Sequence, residues 1–359
     1  MFKRSFALVA AVAVATVTLT ALAAADGAWR DVLDTPAVRS PLASRALLNG
    51  LARAGERVVA VGQRGHVLFS DDAGKTWQQA AVPVSSDLVA VSFPSANVGW
   101  AVGHDGVVLR STDAGATWTR VLDGRSLGTA LVEFYAKPDA ASGFDAKRVE
   151  AAAAEARRFA DQGAENPFLD VWFEDEKAGF VIGAFGLILH TTDGGASWQS
   201  WLHAIDNPKA LHLYAVRGVG GDVYITGEQG LLLKLDRAAG RFRTVEVPYQ
   251  GTLFGVVGDS RSVVVHGLRG TLLRSADGGR SWQTVPTGVP VGLTASAIDA
   301  KGRLFVASQS GHVLVSADAG ASFKAARIER PVPAAAVLAL DANAVVVGGP
   351  RGVQTLSLQ

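Results

Sequence analysis

The chain repeats itself, and the repeat decides most of what it can become. A Gly-x-x-Gly-type turn ends at Gly65, Gly106, Gly186, Gly230, Gly270, Gly311 and Gly352, at spacings of 41, 80, 44, 40, 41 and 41 residues. One long interval among near-equal ones means seven units with about 40 residues inserted between the second and third. A unit of this length cannot bury its apolar faces alone, so the units must stack on one another.

A second motif follows each turn, with the pattern Ser/Thr-x-Asp-x-Gly-x-Ser/Thr-Trp/Phe. It runs from Ser70 to Trp77, Ser111 to Trp118, Thr191 to Trp198, Ser275 to Trp282 and Ser316 to Phe323, with a decayed copy around Asp236, Gly240 and Phe242. The second unit illustrates the rest of the pattern: residues 88–93, 99–102, 107–110 and 118–122 are apolar runs of strand length bounded by turn residues. Four strands per unit is the blade of a β-propeller, and runs such as Val107-Val108-Leu109 suit sheets covered on both faces. The expected fold is therefore all-β, a seven-bladed β-propeller of four-stranded blades with Asp-box turns.

Those turns have a structural explanation that needs no catalysis. The carboxylates of Asp72, Asp113, Asp193, Asp277 and Asp318 accept N–H bonds inside the turn. Gly74, Gly115, Gly195, Gly279 and Gly320 supply positive φ, and Trp77, Trp118, Trp198, Trp282 and Phe323 pack between blades. Burying one such indole is worth up to about 4–6 kcal/mol by area.

The last unit ends before a fourth strand. Trp29-Arg30-Asp31-Val32-Leu33-Asp34 is similar to the fourth strand of the second unit, Trp118-Thr119-Arg120-Val121-Leu122-Asp123. The N-terminal segment is expected to supply the missing strand and close the ring. The insertion, residues 126–165, is alanine-rich; residues 145–162 read as a helix with Asp145 as N-cap and Gly163 as stop, and Val149, Ala152, Ala156 and Phe159 as a thin apolar stripe. This helix is expected to lie on the propeller.

Residues 1–25 have a signal-peptide layout, Lys3 and Arg4 before an apolar run that ends in small residues, so the domain proper is 26–359. Export to the periplasm or an equivalent lumenal side is expected, with the domain soluble or peripheral to the membrane. There is no Cys, so neither disulfides nor a thioether-linked acyl chain are available to these residues. Acidic and basic residues nearly balance at 33 and 34, which gives no electrostatic footprint for nucleic acid.

With these motifs in hand, the chain resembles the BNR-repeat family that includes the photosystem II stability and assembly factors. The resemblance rests on the five Asp boxes, the Gly-x-x-Gly turns, and strand pairs such as residues 88–93 leading to residues 98–103. It implies a non-catalytic scaffold that binds a membrane protein or an assembly intermediate of a membrane complex, as a monomer, with no cofactor, metal or small-molecule substrate. A second reading within that resemblance is an accessory protein of a membrane transport system.

Asp boxes also occur in sialidases and other glycosidases. Such an enzyme needs paired carboxyls, or a Tyr nucleophile with Glu and Arg partners. Only Tyr135, Tyr214, Tyr224 and Tyr249 are present, and the Arg-Ile-Pro signature is missing. His66 and His312 share a position at the start of third strands, a matter of sheet geometry rather than metal ligation.

In a propeller, the second-to-third turns and the connections between blades share one face, and the Asp boxes lie on the other. The Gly-x-x-Gly face is therefore the expected partner-binding face. Its turn centres include Arg64, Arg269 and Arg351, from the first, fifth and seventh blades, with His104 and the aromatic Phe185 in the same register. Arginine grips carboxylates bidentately, so an acidic segment is the expected guest.

Overall fold

The computed structural model describes residues 30–137, 139–341 and 343–358. Two units are distinguished, Met1–Asp31 and Val32–Gln359. The second holds the repeats; the signal segment and Trp29 lie outside the described residues.

The architecture is all-β and propeller-like: seven antiparallel meander sheets, six of four strands and one of three, with one helical insertion. The first strands of the sheets are Leu48–Ala54, Leu88–Ser92, Phe168–Phe173, Leu213–Val219, Leu253–Asp259, Leu293–Ile298 and Ala336–Ala339. Each touches the first strand of the next sheet, and the first sheet touches the seventh. The second strands, such as Gly99–Gly103 and Ser262–Gly267, are buried along their whole length because both of their faces meet a neighbouring sheet.

The core is a set of apolar layers between successive sheets. Between the second and third, Trp100 stacks on Phe173 with ring centroids 3.6 Å apart, beside Val102, Val108, Val171 and Val181. Between the seventh and first lie Val346, Val353, Leu48, Val58 and the edge of Trp77.

Ring closure differs from the expectation. Val32–Asp34 is a 3-10 turn, and the seventh sheet, Ala336–Ala339, Ala344–Gly349 and Gly352–Ser357, gains no fourth strand from the described residues. The physical reason lies in Leu33, which is buried between the first and second sheets with Val59, Val82 and Leu88. Around it, Ser85 N–H donates to the Val32 carbonyl at 2.8 Å, Arg120 donates to the Leu33 carbonyl, and Arg125 grips Asp34 with two bonds of 2.7 and 2.9 Å. From there the chain crosses the outer edge of the first sheet, where Ala37 N–H donates to the Val82 carbonyl and Gln79 bonds both Val38 and Ser40. Closure is then made by packing and by side chains, including Arg53 Nη2 donating to the carbonyls of Ala339 and Leu340 at 2.9 and 3.0 Å.

The insertion is a helical hairpin rather than a single helix. The expected helix is present as α2, Ala146–Gln162, with Asp145 Oδ1 accepting from Lys147 and Arg148 N–H groups and Gly163 ending it at positive φ. The unforeseen helix α1, Gly124–Ala136, is capped by Asp123. A side chain at Gly128 would bring its Cβ to 2.4 Å from Ala160 Cα, so the two helices cross at a distance that only glycine allows. Leu127, Leu131, Ala156 and Phe159 bury against the second and third sheets. Tyr135 OH reaches Ser200 Oγ and His203 Nδ1 at 3.0 Å each, and Arg148 pairs with Asp206 at 2.6 Å.

Candidate binding face

Five of the seven turns share one backbone shape, a tight 3-10 turn whose third residue is left-handed: Arg64, Asp105, Phe185, Gln229 and Arg269, at φ between 52 and 58°. That conformation costs an L-residue about 1–2 kcal/mol. The preceding glycine is needed for a different reason, since a Cβ on Gly62 would lie 2.1 Å from the Leu47 carbonyl oxygen. The sixth and seventh turns, Ser308–Gly311 and Gly349–Gly352, form without a left-handed residue at Ser310 or Arg351.

Arg64, Arg269 and Arg351 are exposed, and their guanidinium groups have no hydrogen-bond or ion-pair partner among the described residues. They lie on the first, fifth and seventh sheets, with the Ser308–Gly311 turn of the sixth between the last two. His104 is exposed on the second sheet's turn. Phe185, on the third sheet's turn, is 41% exposed, with Arg158 of α2 positioned 5.0 Å over its ring. Aromatic contacts run on from Phe185 to His212 at 4.7 Å, then to Tyr214 at 6.4 Å and Phe254 at 5.5 Å. One arc of the face is therefore cationic and another aromatic.

Inside these arcs is a set of residues that the sequence alone did not single out. In six of the seven sheets, a β-bulge near the start of the first strand adds one residue against the second strand: Asn49, Val89, Leu169, Tyr214, Phe254 and Thr294. A bulge re-aims its side chain. All six line one central cavity of about 380 Å³, completed by Ala335 to Val337 from the seventh sheet. The signal was present in the sequence as a buried apolar residue, a variable residue and a small residue, as in Leu48-Asn49-Gly50, Leu88-Val89-Ala90 and Leu253-Phe254-Gly255. It repeats with the blades while its middle residue changes chemistry.

The ionisable groups of the cavity are already neutral or paired. Burial holds the His266 imidazole down at about 4, so it is neutral at pH 7, and its nitrogens meet the Leu293 carbonyl and Ser296 Oγ at 2.9 Å each. Burial raises the Asp170 carboxyl above its ordinary range, against the pull of Arg217 and of the Val216 N–H, which donates to it at 2.8 Å.

On the opposite face every complete Ser/Thr-x-Asp turn closes on its own carboxylate. Asp72 Oδ1 accepts from Ser70 Oγ, Lys75 N–H and Thr76 N–H at 2.8, 3.1 and 2.9 Å, while Oδ2 accepts from Thr76 Oγ1 at 2.6 Å. The same two-oxygen use recurs at Asp113, Asp193, Asp277 and Asp318. Gly74, Gly115, Gly195, Gly279 and Gly320 all have positive φ, and Trp77, Trp118 and Trp282 each donate from the indole to the carbonyl of that glycine. The decayed copy keeps the cap: Ala239 N–H donates to Asp236 at 3.0 Å and Phe242 is fully buried. His66 and His312 lie where the repeat places them, and no cluster of potential metal ligands occurs among the described residues.

Fold and site together define a propeller-fold protein with a varied side-chain ring at the mouth of its central cavity. Solved structures agree on the fold: YCF48 bound to D1 peptide (TM-score 0.61, 15% identity, 90% of this chain and 96% of that one), YCF48 from Cyanidioschyzon merolae (0.59, 17%, 89% and 97%), and the WD40 propeller domain of Doa1 (0.61, 9%, 91% and 96%). The chain belongs to the photosynthesis system II assembly factor YCF48 family, whose model matches residues 22–137 and 149–250. The photosystem II assembly lipoprotein Ycf48 of Synechococcus sp. strain CC9902 is 29% identical over 126 residues, 34% of this chain and 37% of that relative.

Proposed function

We propose that this chain is an exported, non-catalytic binding protein, a seven-bladed propeller with Asp-box turns that holds an extended segment of a membrane protein during assembly or stabilisation of a complex. The observation that carries the reading is the ring of bulged residues. The repeat keeps the frame constant and varies the side chains at one mouth, which is how a scaffold acquires a specific surface. Family membership and the relative bound to a D1 peptide support a peptide as the guest. Strained left-handed residues at exposed turns fit the same role, because such outliers gather at ligand-binding positions.

The guest lies across the Gly-x-x-Gly face. An apolar side chain enters between Val89, Leu169, Tyr214 and Phe254, and an acidic group reaches Arg64, Arg269 or Arg351. His104 and Phe185 border the path. Both oxygens of each Asp-box carboxylate accept hydrogen bonds and Asp170 is paired with Arg217, so none of these carboxyls supports a glycosidase reading.

The test is capture of a membrane client by the mature domain, comparing the parent with Arg64, Arg269 and Arg351 all replaced by Glu, and with Tyr214→Ala combined with Phe254→Ala. Loss of capture with unchanged folding supports the reading; unchanged capture by both variants removes this face from consideration. A transport complex among the captured proteins would favour the accessory role over photosystem assembly.

A further inference from the structure

The seventh sheet stops one strand short, and the repeat shows what is missing. In five sheets the residue after the fourth strand's pairing donates its N–H to the third strand: Ala80 to Val67, Trp201 to Ile188, Val245 to Leu232, Val285 to Leu272 and Ala326 to Val313, at 2.8–3.1 Å. Matching the hairpins by their pairing, Gly348 with Val353 as Val61 with Val67, places Val353 at the Val67 position. It places Gln354 and Thr355 where Leu68 and Phe69 pair with Gln79 and Gln78. Among the described residues no strand pairs with this outer edge of Gly352–Ser357.

The edge is ordered rather than frayed. Its inner side pairs with Ala344–Gly349 in unbroken register, Val353 and Leu356 are buried in two different apolar layers, and Thr355 Oγ1 donates to the Gly74 carbonyl at 3.2 Å. Natural sheets protect such edges with lysine, proline or a bulge. Gly-Val-Gln-Thr-Leu-Ser has none of these.

A second piece is missing from the same place. Trp77, Trp118, Trp198, Trp282 and Phe323 each precede a fourth strand, Phe242 is the second residue of one, and all six pack into the layer shared with the preceding sheet. The layer between the sixth and seventh sheets, with Phe305, Val313, Val337, Val345 and Leu356, receives no such residue from the described chain. Four of the six existing strands share one order in this slot. In Trp77-Gln78-Gln79-Ala80, Trp118-Thr119-Arg120-Val121, Phe242-Arg243-Thr244-Val245 and Trp282-Gln283-Thr284-Val285, an aromatic residue, two polar residues and a small or branched apolar one follow in order.

We propose that the free edge of Gly352–Ser357 receives an extended segment of a partner polypeptide, which pairs antiparallel as the seventh sheet's fourth strand and carries this aromatic-polar-polar-apolar order. Backbone pairing supplies affinity and the aromatic anchor supplies selectivity, the logic of β-strand addition. This surface lies at the outer rim, apart from the cavity mouth, and does not depend on what binds there.

The mature full-length protein and a synthetic peptide of residues 281–287, Ser-Trp-Gln-Thr-Val-Pro-Thr, provide the test, read by peptide fluorescence anisotropy and by amide exchange. Saturable binding should slow exchange selectively at Val353 and Thr355, whose amides point away from Ala344–Gly349. N-methylation of the peptide backbone at its Gln, or replacement of its Trp by Ala, should each weaken binding by roughly tenfold or more, the equivalent of about 1.4 kcal/mol. Because every change is made in the peptide, folding of the protein is not at stake. Exchange at Val353 and Thr355 already as slow as at Leu272 and Arg274 in the free protein would mean that the chain's own residues fill the edge, and would overturn the proposal. Protection that rises with protein concentration would assign the edge to a second copy and overturn it too. So would absence of binding, or protection elsewhere.

Discussion

The Ser44 carbonyl closes on Gly352 as the Val84 carbonyl closes on Gly65: a Cβ on either glycine would lie 2.1 Å from the oxygen that faces it. In the first unit the two residues are 19 apart; in the last they come from opposite ends of the domain. The N-terminal segment therefore replaces the connection that would follow the seventh sheet, not its fourth strand, and the ring's seam is a turn packed against that segment.

Gly352→Ala should accordingly weaken the seam. Its φ of +85° costs an L-residue about 1–2 kcal/mol before the clash with Ser44 is counted. Urea denaturation should show a lower midpoint with unchanged m-value. Removing residues 26–34 should also destabilise, by about 1.5–3 kcal/mol through loss of the buried Leu33 side chain, while leaving exchange in the seventh sheet unchanged.

Trp118→Ala should cost about 3–5 kcal/mol, since its ring is buried and packs edge-on against Phe93 at 5.9 Å. Trp282→Ala should cost less, because that ring is only partly buried. Neither change reaches the Gly-x-x-Gly face. Capture of a client should survive both in the fraction that remains folded, the reverse of the arginine reversal.

Stability should fall with acid in two steps. His266 has a folded pKa of about 4 against an ordinary value near 6.5. Its contribution, about 3 kcal/mol at 1.36 kcal/mol per unit, is complete above that ordinary value and is lost as pH falls towards 4. His190 and His203, also held at about 4 by burial, act in the same window. Below it come the Asp-box carboxylates: hydroxyl and backbone donors hold Asp193 at about 2 and place Asp72, Asp277 and Asp318 lower still, so their contribution begins to fall below about pH 4 and is still being lost at pH 2. Thermal melts from pH 7 to 2 should resolve both limbs, and His266→Gln should flatten the first.

Tyr135→Phe should loosen the helical hairpin without unfolding the sheets. Its hydroxyl meets Ser200 Oγ, His203 Nδ1 and the His203 N–H, and leaving those buried groups unpaired costs about 1–3 kcal/mol. Faster amide exchange confined to α1 and to residues 200–204 is the expected result.

What the sequence determined by itself is whatever lies within one repeat. Turn glycines, the Ser/Thr-x-Asp-x-Gly-x-Ser/Thr loop and the four-strand rhythm depend on contacts over fewer than about ten residues, and α2 announced itself through Asp145 and Gly163 because helix ends are capped locally. The tertiary structure decided what depends on distant partners. Residues 29–34 carry the local pattern of a fourth strand, yet Leu33 gains more by burial between the first and second sheets than a lone strand gains at an edge. Helix α1 forms because Leu127 and Leu131 find the second and third sheets and Gly128 lets Ala160 approach. The variable ring of Asn49, Val89, Leu169, Tyr214, Phe254 and Thr294 becomes a surface only when seven first strands converge, since a bulge is defined by the strand opposite and a cavity by all its walls.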